Sequence, residues 1–166
     1  MLHYREATLS DLDWIVDVYN STIPGKMVTA DTEPVTVTSR LDWFKGHDVC
    51  RRPLWIVENE NKEAVGWVSL QSFYGRPAYD ATVEVSIYLE ERQRGHGYGK
   101  MILEYCLEQA PKLGVKTLLG FIFAHNAPSL GLFQRLGFKV WGTFPKIALL
   151  GDEEKDLKIL GKRLPE

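Results

Sequence analysis

The order of elements written in this sequence predicts an α/β domain built on one mixed sheet, and three observations carry that expectation. Short runs rich in β-branched and aromatic residues alternate with segments whose apolar residues recur at helical spacing. The clearest strand, "ATVEVSIYL" (81–89), leads into a turn with glycine at every second position, Gly95, Gly97 and Gly99, and then into a helical pattern. The chain has 166 residues, the size of one domain, and such a chain buries roughly 70% of its unfolded surface without disulfide or metal staples. One domain spanning residues 1–166 is expected.

Taken in order, "LHYREA" (2–7) reads as a short strand. Thr8 then precedes a helix whose apolar residues Leu12, Ile15, Val16 and Tyr19 share one face, with Asp11 and Asp13 suiting the positive end of its dipole. "STIPGKMVTADTEP" (21–34) is a polar loop, and "VTSRLDWFKGHD" (37–48) a short helix with Leu41 and Phe44 inward. "LWIVE" (54–58) and "AVGWVSLQSF" (64–73) flank a polar turn and form a hairpin. A loop, "YGRPAYD" (74–80), leads into strand 81–89. After the glycine turn, "YGKMILEYCLEQA" is a helix with Leu103, Cys106, Leu107 and Ala110 on one face, and Pro111 should kink or end it. "VKTLLGFIFA" (115–124) is a buried strand, and "APSLGLFQRLGF" a short helix closed by Gly137. "FKVWG", "KIALL" and "KDLKILGKRL" supply the final strands, the last two joined by the acidic turn "GDEEK". No repeat, low-complexity segment or linker interrupts this order.

Composition narrows the function. A net charge of −2 gives no sign of a nucleic-acid partner, and 45% hydrophobic with 25% charged residues is the balance of a soluble globular chain. Two cysteines, Cys50 and Cys106, make no disulfide scaffold, so a reducing cytoplasm is expected. The N-terminal "MLHYREATLSD" lacks the apolar core of a signal peptide, and "LLGFIFA" (118–124) is too short to span a bilayer. His47, His96 and His125 show no metal-ligand spacing, so no metal site is expected. Trp14, Trp43, Trp55, Trp67 and Trp141 are scattered and read as core or dimer contacts rather than a ligand box.

The glycine turn is the feature that needs a reason. A strand, a glycine turn and a helix start suggest an anion site, because the first N–H groups of a helix lack internal partners and glycine lets a phosphate approach them. Lys100 would add positive charge. A P-loop is excluded, since Arg94 and Met101 stand where Gly and Ser or Thr are required, and the dinucleotide fingerprint fails at Lys100. What fits is Arg94-Gly95-His96-Gly97-Tyr98-Gly99 as [QR]-x-x-G-x-[GA]. A second register starts at Arg92, and Arg94 is preferred because it leaves a natural turn length after Leu89.

This hexapeptide resembles the coenzyme-A pyrophosphate loop of the GCN5-related N-acetyltransferase (GNAT) superfamily. The resemblance extends over nearly the whole chain, from "REAT" through "LGF" to the final hairpin. "YDATVEVSIYL" and "HNAPSLGLFQRLGF" look most like the phosphinothricin and methionine sulfoximine acetyltransferase branch, with Glu84, Ser86, Ile87, Tyr88 and Leu89 ahead of the loop and Asn126 and Ser129 after it. It implies a mostly antiparallel mixed sheet flanked by helices, acetyl-CoA as cofactor, a small amine such as an amino acid or analogue as acceptor, and a homodimer. Two other readings stay open: acetylation of a protein N-terminus or lysine, and a non-catalytic acyl-CoA sensor.

Attack on a thioester needs a neutral amine, so a base must take the ammonium proton. Strand alternation puts Val83, Val85 and Ile87 on one face and Glu84, Ser86 and Tyr88 on the other. Alternation alone allows Glu84 to be a solvated surface carboxylate, whereas the resemblance makes it the catalytic base. The resemblance also assigns backbone contacts with the pantetheine arm to Ile87, Tyr88 and Leu89, and cofactor contacts to the loop from Arg94 to Lys100, to Asn126 and to Ser129. Asn126 is equally a helix cap. Arg76 and Tyr79, in the loop before the strand, are candidates for contacting an acidic or amino-acid substrate.

Two departures from the branch stand out. Phe133 occupies the position seven after Asn126 where relatives carry Tyr or His as a thiolate-protonating acid. Tyr88, Tyr98 or a water could replace it, or no acid is needed for a thiol whose pKa is near 8.5. Ala148, Leu150 and Glu154 stand where the branch has Gly, Lys and Trp, which weakens any transfer of phosphinothricin specificity.

Overall fold

The computed structural model describes residues 1–166. The elements are β1 (His3–Glu6), α1 (Leu12–Ser21), α2 (Val37–Lys45), β2 (Leu54–Glu58), β3 (Ala64–Ser72), β4 (Thr82–Leu89), α3 (Tyr98–Gln109), β5 (Thr117–Phe123), α4 (Ala127–Arg135), β6 (Lys139–Leu150) and β7 (Glu153–Arg163). The strands form one seven-stranded sheet in the order β1-β2-β3-β4-β5-β7-β6. Every neighbouring pair is antiparallel except β4 and β5. This is the mixed, mostly antiparallel α/β architecture expected.

Two details differ. "FKVWG" and "KIALL" are a single strand, β6, made irregular between Val140 and Gly142 and between Phe144 and Ala148. Pro145 has no N–H to give a ladder, and Lys146 beside it takes φ +54 and donates its N–H to Asp156 Oδ1 at 2.8 Å. An edge strand tolerates both, so the chain bulges and continues. At the other break, α3 ends at Gln109, and Pro111 falls inside a following 3-10 turn, Ala110–Leu113.

Burial divides along the two faces of the sheet. On one face α3 and α4 pack Ile102, Leu103, Cys106 and Phe133 against Val83, Val85, Leu118 and Ile122. On the other, α1 sets Ile15 and Val18 against Leu54, Ile56 and Trp67. The Trp67 indole N–H donates to the Ile15 carbonyl at 3.1 Å, tying α1 to the middle of β3. None of the helices is long and apolar enough to cross a membrane.

The parallel pair positions everything functional. β4 and β5 are in register only at Thr82–Thr117, Val83–Leu118 and Glu84–Leu119, and then separate. β3 continues to pair with β4 as far as Leu89, and β7 continues to pair with β5 as far as Phe123. The strands therefore splay like the arms of a V while each keeps its outer partner. Gly120 begins the β5 arm, and a Cβ there would lie 2.5 Å from the Phe133 ring, so the ring of α4 occupies the space that a side chain would need. Phe133 also meets Phe138 edge-to-face at 4.8 Å and is 7% exposed.

Gly120→Ala should therefore destabilise the protein by about 1–3 kcal/mol through overpacking. In a Phe133→Leu background the same change should cost under about 0.5 kcal/mol, the non-additivity expected of residues in contact. Urea unfolding of the four proteins measures this, and equal costs in both backgrounds would show that the ring is not the obstacle.

Candidate active site

The splay exposes one edge of β4, and the register says which residues use it. Glu90 donates to Val65 and Phe73 donates to Thr82 across β3–β4, so even-numbered residues from 82 to 90 turn their N–H and C=O toward β3. Val85, Ile87 and Leu89 turn theirs the other way, Val85 N–H closing the last pair with β5 and Ile87 and Leu89 facing the gap that β5 has left. The resemblance assigned backbone contacts to Ile87, Tyr88 and Leu89 together. The Tyr88 backbone is committed to Trp67 on β3, so only its side chain is free to take part.

A cleft of about 460 Å³ fills the V. Ile87, Leu89, Arg94 and Gly99 border it on the β4 side, and Ile122, Asn126, Ser129 and Phe133 on the β5 side. At its mouth the turn reaches α3 through Gly95 and Gly97, whose φ angles of +81° and +77° lie in the left-handed region that favours glycine. The N–H groups of Gly95, His96 and Gly97 have no partner within the chain. Those of Tyr98, Gly99 and Lys100 have none because a helix start provides none. This cradle of inward N–H groups suits an anion, and the free strand edge beyond it suits an extended, amide-bearing arm.

The remaining loop residues divide. Arg94 borders the cleft, whereas Arg92 is exposed and bonds Glu90 at 3.1 Å, which favours the register that starts at Arg94. His96 is exposed, and Tyr98 packs its ring toward the α3 core. Lys100 points outward, 3.8 Å from Glu104. Across the cleft, the Asn126 Oδ1 accepts from Ser129 N–H at 3.3 Å and so caps α4. Its Nδ2 donates to the Met27 carbonyl at 3.1 Å, and His125 Nε2 donates to the Lys26 carbonyl at 2.7 Å. These bonds hold the 26–30 segment over the cleft as a strap.

A second cavity, of about 400 Å³, opens on the other side of the strap. Its walls come from α1 (Ile15, Tyr19), α2 (Arg40, Trp43), β3 (Trp67, Gln71) and the two inner strands. Trp67 stacks on Tyr88 with ring centres 4.5 Å apart, and Trp43 meets Trp67 edge-on at 5.5 Å. Trp67 is a core residue, as expected, and with Trp43 packed on it also borders this cavity. Trp43 and Trp67 converge here, one from a helix and one from a strand. Arg40 and Tyr19 were also missed by sequence reasoning, although Arg40 and Trp43 at i, i+3 do mark one face of α2.

Cleft and chamber share a border formed by Val28, Glu84, Ser86, Tyr88 and Phe121. Glu84 stands at the apex, at the last paired position before the strands part. Burial pushes its carboxyl up to about 7. Burial, with Tyr19 and Glu84 nearby, also raises the Tyr88 phenol well above its ordinary value and keeps it protonated. Arg76 and Tyr79 border neither cavity. Arg76 is exposed where it opens the 3-10 turn Pro77–Tyr79, and the Tyr79 ring lies against Phe73 and Tyr74. Of the branch-specific positions, Ala148 borders the chamber, Leu150 is buried and Glu154 is exposed.

Known proteins place this geometry. The family model described as Acetyltransferase (GNAT) family matches residues 15–138. YwnH of Bacillus subtilis (strain 168), named a candidate phosphinothricin acetyltransferase, is 52% identical over 96% of this chain and 98% of that protein. The L-methionine sulfoximine/L-methionine sulfone acetyltransferase of Pseudomonas aeruginosa is 29% identical over 86% of this chain and 83% of its own length. A crystal structure described as a candidate phosphinothricin N-acetyltransferase superposes with a TM-score of 0.95 at 51% identity, covering 100% of both chains. A strand edge beside an anion cradle, a buried carboxylate at its apex and these relatives converge on one conclusion: the chain belongs to the GNAT acetyltransferase family, enzymes for which acetyl-CoA is the acetyl donor.

Proposed function

We propose that the protein acetylates the amine of a small amino acid or amino-acid analogue, with Glu84 as the base. The observation that carries this reading is the junction of the two cavities at Glu84. Acetyl-CoA brings the acetyl group as a thioester. The glycine cradle with Arg94 would hold its pyrophosphate, the free edges of Ile87 and Leu89 its pantetheine amides, and Asn126 and Ser129 the far wall. In the chamber, an acceptor ammonium next to Glu84 loses a proton to the carboxylate, directly or through a water. The freed nitrogen lone pair forms the C–N bond, the C–S bond breaks, and an N–H of the β4 edge meets the charge that develops on the carbonyl oxygen. Phe133 donates nothing, and Tyr98 is turned to the core. Tyr88, bordering both cavities, is the phenol available to the departing thiolate, with water as the other source.

The aromatic chamber, of about 400 Å³, has the size and lining of a small-molecule site, which supports a small acceptor over a protein chain. The names of the relatives support amino-acid analogues. A non-catalytic sensor would have no use for a buried carboxylate at the junction. A reducing cytoplasm is the proposed setting, consistent with two free cysteines.

We infer that β6 joins two copies. It is the edge of the sheet, and it exposes Val140, Trp141, Phe144, Ile147 and Leu149, the last two by 61% and 62%. Such a row on an open edge invites pairing.

With acetyl-CoA and a panel holding methionine sulfone, phosphinothricin, polyamines and short peptides, thiol release should be fastest for an amino-acid analogue. The kcat/KM should rise with pH along a limb near 7, because Glu84 accepts a proton only when ionised. Glu84→Gln should lower kcat by about 10²-fold or more at pH 7, with partial recovery at high pH. An unchanged kcat would remove Glu84 from the mechanism.

The same carboxylate gives a stability test with the opposite sign from a salt-bridged acid. Its folded pKa of about 7 exceeds the unfolded value of 4.5, so the native state binds the extra proton between them and loses stability as pH rises through 7. Glu84→Gln should therefore be about 3 kcal/mol more stable than the parent at pH 8.5 and nearly equal at pH 4.5. Urea unfolding at the two pH values measures the difference, and a gap independent of pH would contradict it.

For β6, light scattering should give twice the 19.0 kDa chain mass, and Ile147→Asp with Leu149→Asp should return the monomer. A parent that is monomeric at high concentration refutes the pairing.

A further inference from the structure

The chamber that faces Glu84 has one cationic side chain on its walls, Arg40, and one acid, Glu84 itself. The rest is aromatic, aliphatic or neutral polar. Arg40 is fixed from three sides. The start of α2 is locked by Thr36 and Ser39, with Ser39 N–H donating to Thr36 Oγ1 at 3.1 Å and Thr36 N–H to Ser39 Oγ at 3.2 Å. One turn on, the guanidinium carbon lies 4.8 Å from the centre of the Tyr19 ring and 5.9 Å from that of Trp43. Finally, Nη2 donates to Asp31 Oδ2 at 2.9 Å, and the Tyr19 hydroxyl donates to the same carboxylate.

That single bond is the whole of what the guanidinium spends within the chain, and Nε and Nη1 donate to nothing. A guanidinium carries five N–H donors in a rigid fork. Holding it against two rings beside a cavity, with most donors unused, leaves a pre-oriented site for a planar anion. The rings also connect it to the chemistry. Tyr19 lies 5.1 Å from Tyr88, which shares its face of β4 with Glu84.

We propose that Arg40 recognises the carboxylate of the acceptor, so that an amino acid lies across the chamber with its amine at Glu84 and its carboxylate on α2. This rests on the amino-acid reading above and adds a specificity residue to it. Asp31 is half-exposed and engages one prong, so a ligand carboxylate takes the remaining fork without displacing it. The arrangement discriminates against acceptors that lack a carboxylate. A polyamine would place a second cation against Arg40, where the one nearby acid, Asp31, is already bonded to the guanidinium.

Acetylation of L-methionine sulfone and of its α-carboxamide should be compared at saturating acetyl-CoA in the parent, Arg40→Gln and Arg40→Lys. In the parent, kcat/KM for the acid should exceed that for the amide by about 10²-fold, the scale of a charge-assisted hydrogen-bonded pair. Arg40→Gln should reduce this ratio to within a few-fold, by raising KM for the acid about tenfold or more beyond any change for the amide, with the KM for acetyl-CoA held. Arg40→Lys should fall between. A ratio that survives in Arg40→Gln overturns the proposal, and so does an equal loss on both acceptors, which would make Arg40 only a support for Asp31 and the strap. If the parent turns over other amines but neither of these, the amino-acid reading itself fails, a result separable from either of the first two.

Discussion

The departure of β5 from β4 after Glu84 is the constraint on which the cleft, the buried carboxylate and the aromatic chamber all depend. A parallel pair that zipped to its end would satisfy every backbone group and leave no site. Here three pairs form and the arms then part, each still held by its outer neighbour. The cost is a set of N–H and C=O groups at Ile87 and Leu89, beyond the last β4–β5 pair, and such groups must be met by water or by a ligand. An extended arm with amides of its own can take their place in the ladder. The sheet is in this sense completed by what it binds.

The same divergence explains the state of Glu84. Being the last residue of β4 that is paired on both sides, it is held by the ladder, while the gap beyond opens toward the cleft and its side chain borders the chamber. No hydrogen bond or opposite charge offsets its burial, so the carboxyl rises toward neutrality. A carboxyl near 7 suits the base proposed for it, and the price is native stability above that pH.

Much of this was legible in the chain. Period-two alternation places Glu84, Ser86 and Tyr88 together opposite Val83, Val85 and Ile87, and the glycine spacing marks the turn whose N–H groups are left without partners. What alternation could not give is the direction of each backbone group, which depends on register with β3. Hence Tyr88 shared the expected backbone role with Ile87 and Leu89, although its N–H and C=O are already engaged. The acceptor side was harder still. Tyr19, Arg40, Trp43 and Trp67 come from three separate elements, and only tertiary packing brings them to one cavity. Arg76 and Tyr79 are near Glu84 in sequence, yet the 3-10 turn that follows Arg76 carries them to the surface.

Phe133 connects the fold to the chemistry that remains. Its ring fills the place a Gly120 side chain would take and closes the α4 face, so the residue is a wedge between the arms and not a vacant acid position. With that role taken, the phenol left near the proposed leaving group is Tyr88, which stays neutral because it is buried near Tyr19 and Glu84. A thiol is acidic enough to depart as its anion, so a weak or water-borne proton source suffices. In the proposed reaction the demanding half then falls to Glu84, because proton removal from the acceptor calls for an ionised base held beside the thioester, and the apex of the splayed strands is such a position.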